Sequence, residues 1–262
     1  MFSGKRNTYM LDKNQIKNIS FFKNKNILNI EKLKIQGLCN INYKICTKNQ
    51  SYILRVFKSN KSVNISRNFE YKVQKKAFYK KVSSKVYYFD LKNGFLINKF
   101  IKGMHKYNLK NKDLKALIKV VKKIHNLNIK SKTYDFFKDL KHYSKNLKDL
   151  QSKKALKKLK KELIYLSNFD KNLALCHHDL NVKNIIFTKK DKVKIIDWEY
   201  AGVNDIYFDL ATICSEYKLN KTREKLLLKY YFNTYSKRKH KKLLSYKKVY
   251  NLLCFLWLND NL

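Results

Sequence analysis

Residues 176–184 read CHHDLNVKN, and residues 195–200 read IIDWEY. The first stretch has the form His-x-Asp-x-x-x-x-Asn, and the second places an Asp directly after an apolar run. Short apolar runs also lie between the two fixed patterns, which is typical of two paired strands. We therefore predict a loop followed by a β-hairpin that brings two Asp residues and one Asn together.

The residue types in this pattern are those that phosphoryl transfer from a nucleotide requires. Asp179 is predicted to accept the proton of an acceptor hydroxyl, and Asn184 and Asp197 are predicted to hold Mg²⁺ between the phosphates. The metal would neutralise the charge that develops during in-line attack. His177 is placed in the same catalytic site, as a residue that braces the loop rather than one that transfers protons. Asp and Asn are also common turn residues, so a hairpin without chemistry is the alternative for this stretch taken alone.

A second hairpin is predicted upstream, over residues 33–45. The pattern there is strand, tight turn and strand, and Gly37 is the residue that can take a positive φ at the turn. This hairpin is predicted to cover the phosphates of the nucleotide through Gly37 and Asn40.

A cation on the next strand and an acid on the following helix form a predicted ion pair. The strand covers 52–57 and carries Arg55 near its middle. The helix covers 65–78, where apolar residues recur at every fourth position and Glu70 lies one residue from that stripe. Such a pair positions phosphates in kinase folds, with Arg55 contacting them. Taken singly, both residues are typical of solvated surface charges; the order of the parts along the chain favours the pair.

These parts, in this order, resemble the choline/ethanolamine kinase family within the aminoglycoside-phosphotransferase-like superfamily of small-molecule kinases. The resemblance covers most of the chain, from about residue 35 to residue 257, and looks closest to bacterial choline kinases. It is most specific over residues 196–211, where IDWEYAGVND is followed by FDLA, and in the acid Glu216 seven residues after Asp209. The resemblance implies ATP and Mg²⁺ as cofactors and a cationic alcohol as the acceptor.

The resemblance also implies the fold, a protein-kinase-like α+β protein of two lobes. Residues 1–98 are predicted to form a small nucleotide-binding lobe of an antiparallel sheet plus one helix. Residues 99–103 are predicted to form a hinge whose backbone, at Phe100 and Ile101, meets adenine. Residues 104–262 are predicted to form a larger, mainly helical lobe for catalysis and substrate binding, with the active site between the lobes.

Residues after the metal-binding Asp have roles implied by the same resemblance. Asp209 is expected to support the catalytic loop from below, with Glu199 as a further structural support, and Glu216 to line the choline site. A seven-residue spacing puts Asp209 and Glu216 on one face of a helix. A quaternary ammonium is recognised by carboxylate charge and aromatic faces, so an aromatic cage is predicted. Its candidate residues are Tyr200, Tyr217 and Trp257, for each of which plain core packing is the alternative.

The sequence departs from the family pattern at three informative places. The phosphate-covering hairpin has one glycine where relatives often have two or more, His178 stands where Asn is usual, and Cys254 stands where choline kinases often carry a second Trp. These departures concern the acceptor more than the phosphate chemistry. Choline or ethanolamine is the predicted acceptor, and thiamine, an aminoglycoside or another small alcohol is the alternative.

The net charge of +41 would attract nucleic acid or an anionic membrane face. Only five of the 60 basic residues are arginine, proline is absent, and the lysines are spread along the chain. This composition favours drift of exposed positions to lysine over a selected binding patch, so no specific nucleic-acid partner is predicted. A non-enzymatic, basic nucleic-acid-binding protein on a kinase fold is the third interpretation.

Cellular location is predicted from what the sequence lacks. No stretch of 18 or more uncharged apolar residues is present, and the N-terminus has no signal-peptide pattern. The five cysteines form no C-x-x-C pair, which argues against a zinc site or a disulfide framework. We therefore expect a cytoplasmic protein with reduced thiols and no membrane insertion, and the sequence leaves its oligomeric state open.

Overall fold

The computed structural model describes residues 11–34, 40–58, 65–189 and 192–261. The chain divides into two compact units, residues 1–102 and 103–262. Each unit has its own sheet or sheets and its own helices. The roles predicted for the two units, as nucleotide-binding and catalytic lobes, stay predictions.

Unit 1 is built on a five-stranded antiparallel sheet with the strand order β1-β2-β3-β5-β4. Its strands are β1 (Ile27–Lys32), β2 (Asn40–Thr47), β3 (Ser51–Phe57), β4 (Val86–Asp90) and β5 (Phe95–Lys99), and its helices are α1 (Lys13–Lys17) and α2 (Arg67–Tyr79). Alternate residues of β2 and β3, including Ile45 and Leu54, enter a core completed by Ile16 of α1 and by Phe22. The sequence interpretation predicted α2 and did not predict α1.

The predicted position of the first hairpin strand is wrong. The described strand covers Ile27–Lys32 and so lies before Leu33, where the predicted hairpin begins, because β1 pairs with β2 from Ile27 opposite Thr47 to Lys32 opposite Tyr43. One bond continues the ladder beyond Lys32, in which the backbone N–H of Leu33 donates to the carbonyl of Asn42 at 3.0 Å. The turn that contains Gly37 lies outside the described residues.

The predicted buried face of α2 is also wrong in part. The side chain of Ser66 caps this helix by accepting a hydrogen bond from the backbone N–H of Phe69. Val73 and Ala77 are fully buried as predicted, but Phe69 is only half-buried and Glu70 is buried in its place. An acid can occupy this face because two arginines surround its carboxylate, as described below.

Unit 2 is mainly helical and contains two small antiparallel sheets, β6 with β9 and β7 with β8. Its strands are β6 (Leu173–Cys176), β7 (Ile185–Phe187), β8 (Val193–Ile195) and β9 (Gly202–Asp205). Its helices are α3 (Asn111–His125), α4 (Phe136–Asn146), α5 (Leu150–Leu166), α6 (Tyr207–Glu216), α7 (Lys221–Phe232) and α8 (Lys237–Asn261). The hairpin predicted between the catalytic loop and the second Asp is therefore confirmed as β7–β8.

The long helix α8 organises unit 2 by packing against both α5 and α6. Its residues Leu243, Val249 and Leu256 are fully buried, and burial of side chains of this size contributes roughly 1.5–3 kcal/mol each. None of the helices in the described part of the chain combines the length and apolar character needed to span a bilayer.

Buried acids of unit 2 are mostly neutralised by basic neighbours. Lys242 donates to Asp205 at 2.6 Å, and Glu224 accepts from His240 and Lys247. Asp139 of α4 differs, because it is 1% exposed and neither of its oxygens has a hydrogen bond of standard geometry from a described residue. Burial raises the pKa of Asp139 to about 6, although the nearby Tyr134 lowers it.

We expect Asp139→Asn to stabilise the protein at neutral pH. The folded-state pKa is above the unfolded value of 3.8, so the stability of the wild type falls as the pH rises from about 4 to about 6 and stays lower above it. The substitution should raise the free energy of unfolding by about 2–3 kcal/mol at pH 7.5 and by much less at pH 4.5. Urea unfolding of the full chain at both pH values measures the difference.

Asp135→Asn is the matched control, because Asp135 lies on the same helix as its N-cap and accepts from the backbone N–H of Phe137. This variant should not stabilise the protein at pH 7.5. Equal effects of Asp139→Asn at the two pH values would contradict the prediction.

Candidate active site

One buried carboxylate holds the backbone of the predicted catalytic loop, which covers residues 177–184. Asp209 of α6 accepts hydrogen bonds from the backbone N–H groups of His177 at 2.8 Å and His178 at 2.9 Å. The Nε2–H of His125, at the end of α3, donates to the same carboxylate at 3.1 Å, and its Nδ1 lies 2.7 Å from the hydroxyl of Tyr231. Burial raises the pKa of Asp209, but the hydrogen bond and charge of His125 outweigh it and hold the pKa below its usual range. Asp209 thus has the contacts that the sequence interpretation assigned to it.

His177 connects the loop to the end of β8. Its Nδ1 accepts from the backbone N–H of Asp179 at 3.3 Å, which leaves Nε2–H to donate to the carbonyl of Ile196 at 3.0 Å. Its ring packs edge-on against the fully buried Trp198, with 4.7 Å between ring centroids. Burial lowers the pKa of His177 to about 4, so the ring is neutral near pH 7. This geometry is that of a brace between the two Asp-bearing segments.

Asp179 is held by two asparagine side chains. Its Oδ1 accepts from the Nδ2 of Asn181 at 2.8 Å, and its Oδ2 accepts from the Nδ2 of Asn184 at 2.7 Å. Burial and the charges of Asp197 and Glu199 together raise the pKa of Asp179 to about 7, against the effect of the hydrogen bonds from the two asparagines, which lower it. The predicted proton acceptor therefore lies close to two other carboxylates.

Asn181 is a site residue that the sequence interpretation missed. In addition to holding Asp179, its Oδ1 caps the helical turn Val182–Asn184 by accepting from the backbone N–H groups of Lys183 and Asn184. The signal was present, because an Asn before a short turn is a common cap. Its second role, toward Asp179, depends on the folded loop.

The donor set at the predicted metal site suits Mg²⁺. Both hydrogen bonds donated by the Nδ2 of Asn184 go to Asp179, at the backbone carbonyl and at Oδ2, and its Oδ1 accepts none from the described residues. This amide oxygen and the half-buried carboxylate of Asp197 are hard oxygen donors, which Mg²⁺ prefers. Asp197 also has a left-handed backbone with φ of 65°, a conformation that clusters at functional sites. The concentration of negative charge around Asp179 provides the electrostatic reason for a cation there.

At His178, where the family resemblance leads us to expect Asn, the structure shows why a His is tolerated. Its backbone is left-handed, with φ of 66°, a conformation in which Asn, Asp and His are all enriched. Its Nδ1–H donates to the carbonyl of Tyr200 at 2.8 Å, and its Nε2 accepts from the Nδ2 of Asn204 at 2.9 Å. Burial lowers the pKa of His178, which keeps this neutral pattern. Tyr200 thus supports the loop through its backbone, and the predicted support Glu199 is buried beside it.

In unit 1, the predicted ion pair is part of a buried triad. The carboxylate of Glu70 accepts from Arg55 at 2.7 Å and from Arg67 at 2.9 Å, and all three residues are at most 5% exposed. The guanidinium of Arg67 also lies 4.3 Å from the ring centroid of Phe57. Arg67 was missed, although the three-residue spacing to Glu70 on one helix was a usable signal.

The other nucleotide-site candidates of unit 1 lie at strand ends. Asn40 is buried at the start of β2, opposite Phe57 of β3. Phe100 and Ile101 are half-buried directly after β5, and the backbone N–H of Phe100 donates to the carbonyl of Ser51 at 3.0 Å. Their contacts with a nucleotide stay predictions.

The residues predicted to bind the acceptor lie mainly on α6 and α8. Glu216 is half-buried at the end of α6, and its Oε1 accepts from the hydroxyl of Tyr250 at 2.7 Å. Cys254 lies one turn further along α8, where burial raises the pKa of its thiol to about 11, the neighbouring Tyr250 lowers it, and the charges of Glu216 and Asp179 raise it. The hydrogen bond from Tyr250 to Glu216 thus joins α8 to the end of α6.

The three aromatic residues predicted to form the cage lie on different elements, with Tyr200 before β9, Tyr217 at the end of α6 and Trp257 on α8. Trp257 is half-buried on α8, seven residues after Tyr250 and so on the same helix face. Tyr217 is buried, and the charges of Glu216 and of Asp113 on α3 add to the effect of burial in raising its pKa. Tyr250 was missed by the sequence interpretation, although positions 250, 254 and 257 have the spacing of one helix face.

Comparison of the sequence with known proteins identifies a family. Residues 31–253 match the choline/ethanolamine kinase family. Protein LicA of Haemophilus influenzae is 25% identical over 241 residues, which span 85% of this chain and 71% of that protein. A LicA homolog of Metamycoplasma hominis is 36% identical over 119 residues, which span 45% of this chain and 46% of that protein.

Solved structures show the same fold. The choline kinase LicA from Streptococcus pneumoniae superposes with a TM-score of 0.80 at 21% identity, over 95% of this chain and 88% of that one. The aminoglycoside phosphotransferase APH(2'')-Ib superposes with a TM-score of 0.63 at 19% identity, over 94% of this chain and 88% of that one. The family match and the fold together indicate an ATP-dependent phosphotransferase of the protein-kinase-like type that acts on an alcohol. Within that class, the chain belongs to the choline/ethanolamine kinase family.

We expect Asp209→Asn to impair catalysis through the loop. An amide has one acceptor oxygen, so either the N–H of His177 or that of His178 would face an NH₂ group. Because a hydrogen bond to a charged group contributes roughly 1.5–3 kcal/mol, kcat should fall at least about tenfold. Steady-state phosphotransfer with a saturating acceptor measures it.

Thr212→Val is the matched control, because Thr212 is buried on the same helix and its hydroxyl donates only to the carbonyl of Phe208 among the described residues. A wild-type kcat for Asp209→Asn, with the thermal midpoint also unchanged, would mean that the loop does not depend on this carboxylate.

Proposed function

We propose that the protein transfers the γ-phosphate of ATP to the hydroxyl of choline with the aid of Mg²⁺. The observation that carries the choice of acceptor is the state of Glu216. Although the chain has 60 basic residues and 19 acidic ones, this half-buried carboxylate forms no ion pair with any described Lys or Arg. A negative charge that no described Lys or Arg neutralises suits an acceptor that brings its own positive charge.

Asp179 is proposed to take the proton of the acceptor hydroxyl. The side chains of Asn181 and Asn184 hold its two oxygens, which fixes the direction from which the hydroxyl approaches. Asn184 and Asp197 would hold Mg²⁺, which supplies charge neutralisation at the phosphates. His177 keeps the loop and the Asp197 segment in register through its bond to Ile196.

Unit 1 is proposed to bind the nucleotide. Glu70 accepts hydrogen bonds from both Arg55 and Arg67 and so fixes the position of the Arg55 guanidinium. We propose that this guanidinium contacts the phosphates. Gly37 and Asn40 would cover the phosphates, and the backbone at Phe100 and Ile101 would meet adenine. A crystal structure of LicA in complex with AMP supports nucleotide use in this family.

The two other interpretations have unequal support. Phosphotransfer to thiamine, an aminoglycoside or another small alcohol keeps the same Asp179 chemistry, and the shared fold with aminoglycoside phosphotransferases keeps it as an alternative acceptor class. A non-enzymatic nucleic-acid-binding protein is not supported, because the chain belongs to a family of phosphotransferases. A cytoplasmic location stays a prediction.

We expect purified protein to release ADP in the presence of choline and Mg²⁺, and Asp179→Asn to lower kcat at least about 100-fold because the proton acceptor is lost. The thermal midpoint of the variant should not fall, since burial already disfavours the charge of Asp179. A coupled assay with choline, ethanolamine, thiamine and an aminoglycoside measures turnover.

Asp170→Asn is the control for this experiment, because Asp170 is a fully solvated acid of the same unit, with a side chain 97% exposed. Turnover with thiamine or an aminoglycoside but not with choline would replace the proposed acceptor. No turnover with any of the four would reject the proposal as a whole.

A further inference from the structure

The hydroxyl of Tyr250 forms a hydrogen bond with one of the two carboxylate oxygens of Glu216. It donates to Oε1 at 2.7 Å, across from α8 to the end of α6. The Tyr250 ring is 7% exposed and packs edge-on against Phe208, with 6.0 Å between ring centroids. Burial and the neighbouring charges of Cys254 and Glu216 raise the pKa of Tyr250 far above its usual range, so the hydroxyl stays protonated and donates. The bond is therefore a fixed feature of the site.

The other oxygen of Glu216 is left for a ligand. Its Oε2 accepts no hydrogen bond from the part of the chain that the structure describes. The carboxylate is half-buried, so it is within reach of solvent, and no described Lys or Arg neutralises it. Glu216 thus presents one satisfied oxygen and one available oxygen to whatever cation enters.

We propose that Tyr250 is a specificity-determining residue, which favours quaternary ammonium alcohols over primary ammonium alcohols by satisfying Oε1 of Glu216 with a protein hydrogen bond. The inference rests on the proposed function, in which Glu216 meets the cationic group of the acceptor. It goes beyond that function because it assigns the choice between two cations to a residue on a different helix.

The physical reason lies in the number of donors on each cation. A quaternary ammonium has no N–H, so it attracts the carboxylate by charge alone and displaces water from both oxygens without replacing any hydrogen bond. A carboxylate oxygen desolvated in this way is costly unless the protein supplies a donor. A primary ammonium has three donors and can satisfy both oxygens itself. The Tyr250 hydroxyl is therefore needed for the first cation and largely redundant for the second.

Tyr250→Phe removes the hydroxyl and keeps the ring. We expect kcat/KM for choline to fall about tenfold, as loss of a hydrogen bond to a charged group implies, mainly through a higher KM. For ethanolamine we expect a loss of less than about threefold, since its ammonium group replaces the missing donor. The ratio of the two kcat/KM values, measured on one preparation, should shift toward ethanolamine and does not depend on the fraction of active protein.

Tyr246→Phe is the matched control. Tyr246 lies one turn earlier on α8, has the same 7% exposure, and stacks on Tyr207 rather than contacting Glu216. Its hydroxyl deletion should leave the choline-to-ethanolamine ratio at the wild-type value. A shift of the ratio in this control as large as in Tyr250→Phe would overturn the proposal, because it would trace the effect to general loosening of α8.

A double-mutant cycle with Glu216→Ala tests whether Tyr250 acts through Glu216. In the Glu216→Ala background the hydroxyl has no carboxylate to hold, so adding Tyr250→Phe should no longer change the ratio. Persistence of the shift there would overturn the proposal. A wild-type ratio in the Tyr250→Phe variant would overturn it alone and leave the proposed function standing, whereas wild-type protein that phosphorylates neither amine would reject the proposed function and this inference together.

Discussion

The carboxylate of Asp209 is the contact on which the geometry of the catalytic loop depends. Its two oxygens take the backbone N–H groups of His177 and His178, and His125 donates to it from α3. Asp209 is fully buried, so these donors replace water, and an unmatched charge at that depth costs several kcal/mol. Asp179 lies two residues after His177, so its position depends on α6 and α3 rather than on the loop alone.

Two of the predicted site acids, Asp179 and Glu216, are held by different groups from those that neutralise the buried acids Asp205 and Glu224. Structural acids such as Asp205 and Glu224 are neutralised by lysine or histidine. Asp179 is held by asparagine side chains and Glu216 by a tyrosine hydroxyl, which satisfy oxygens without cancelling charge. In a protein of net charge +41, this arrangement keeps negative charge available where a metal ion and a cationic acceptor are proposed to bind.

Prediction from the sequence succeeded where the chemistry is local. The β7–β8 hairpin and the helix face that joins Asp209 to Glu216 follow from spacing over fewer than about ten residues, and the Arg55–Glu70 pair follows from the order of the elements. It failed where partners are distant or where competing contacts decide. Tyr250 lies 34 residues from Glu216 and looks like one more aromatic residue of a buried helix.

The sequence by itself determined which residue types meet at the catalytic loop, because a fixed spacing within one turn or hairpin leaves the backbone few alternatives. It also indicated the class of fold, through the order of strand, helix and loop signals together with the family resemblance that they carry. Only the tertiary structure decided that β1 ends before residue 33, that Arg67 shares Glu70, and that Tyr250 occupies one oxygen of Glu216. Each of these depends on strand register, on burial or on packing between helices, so a short spacing such as that of Arg67 and Glu70 permits the contact but does not decide it.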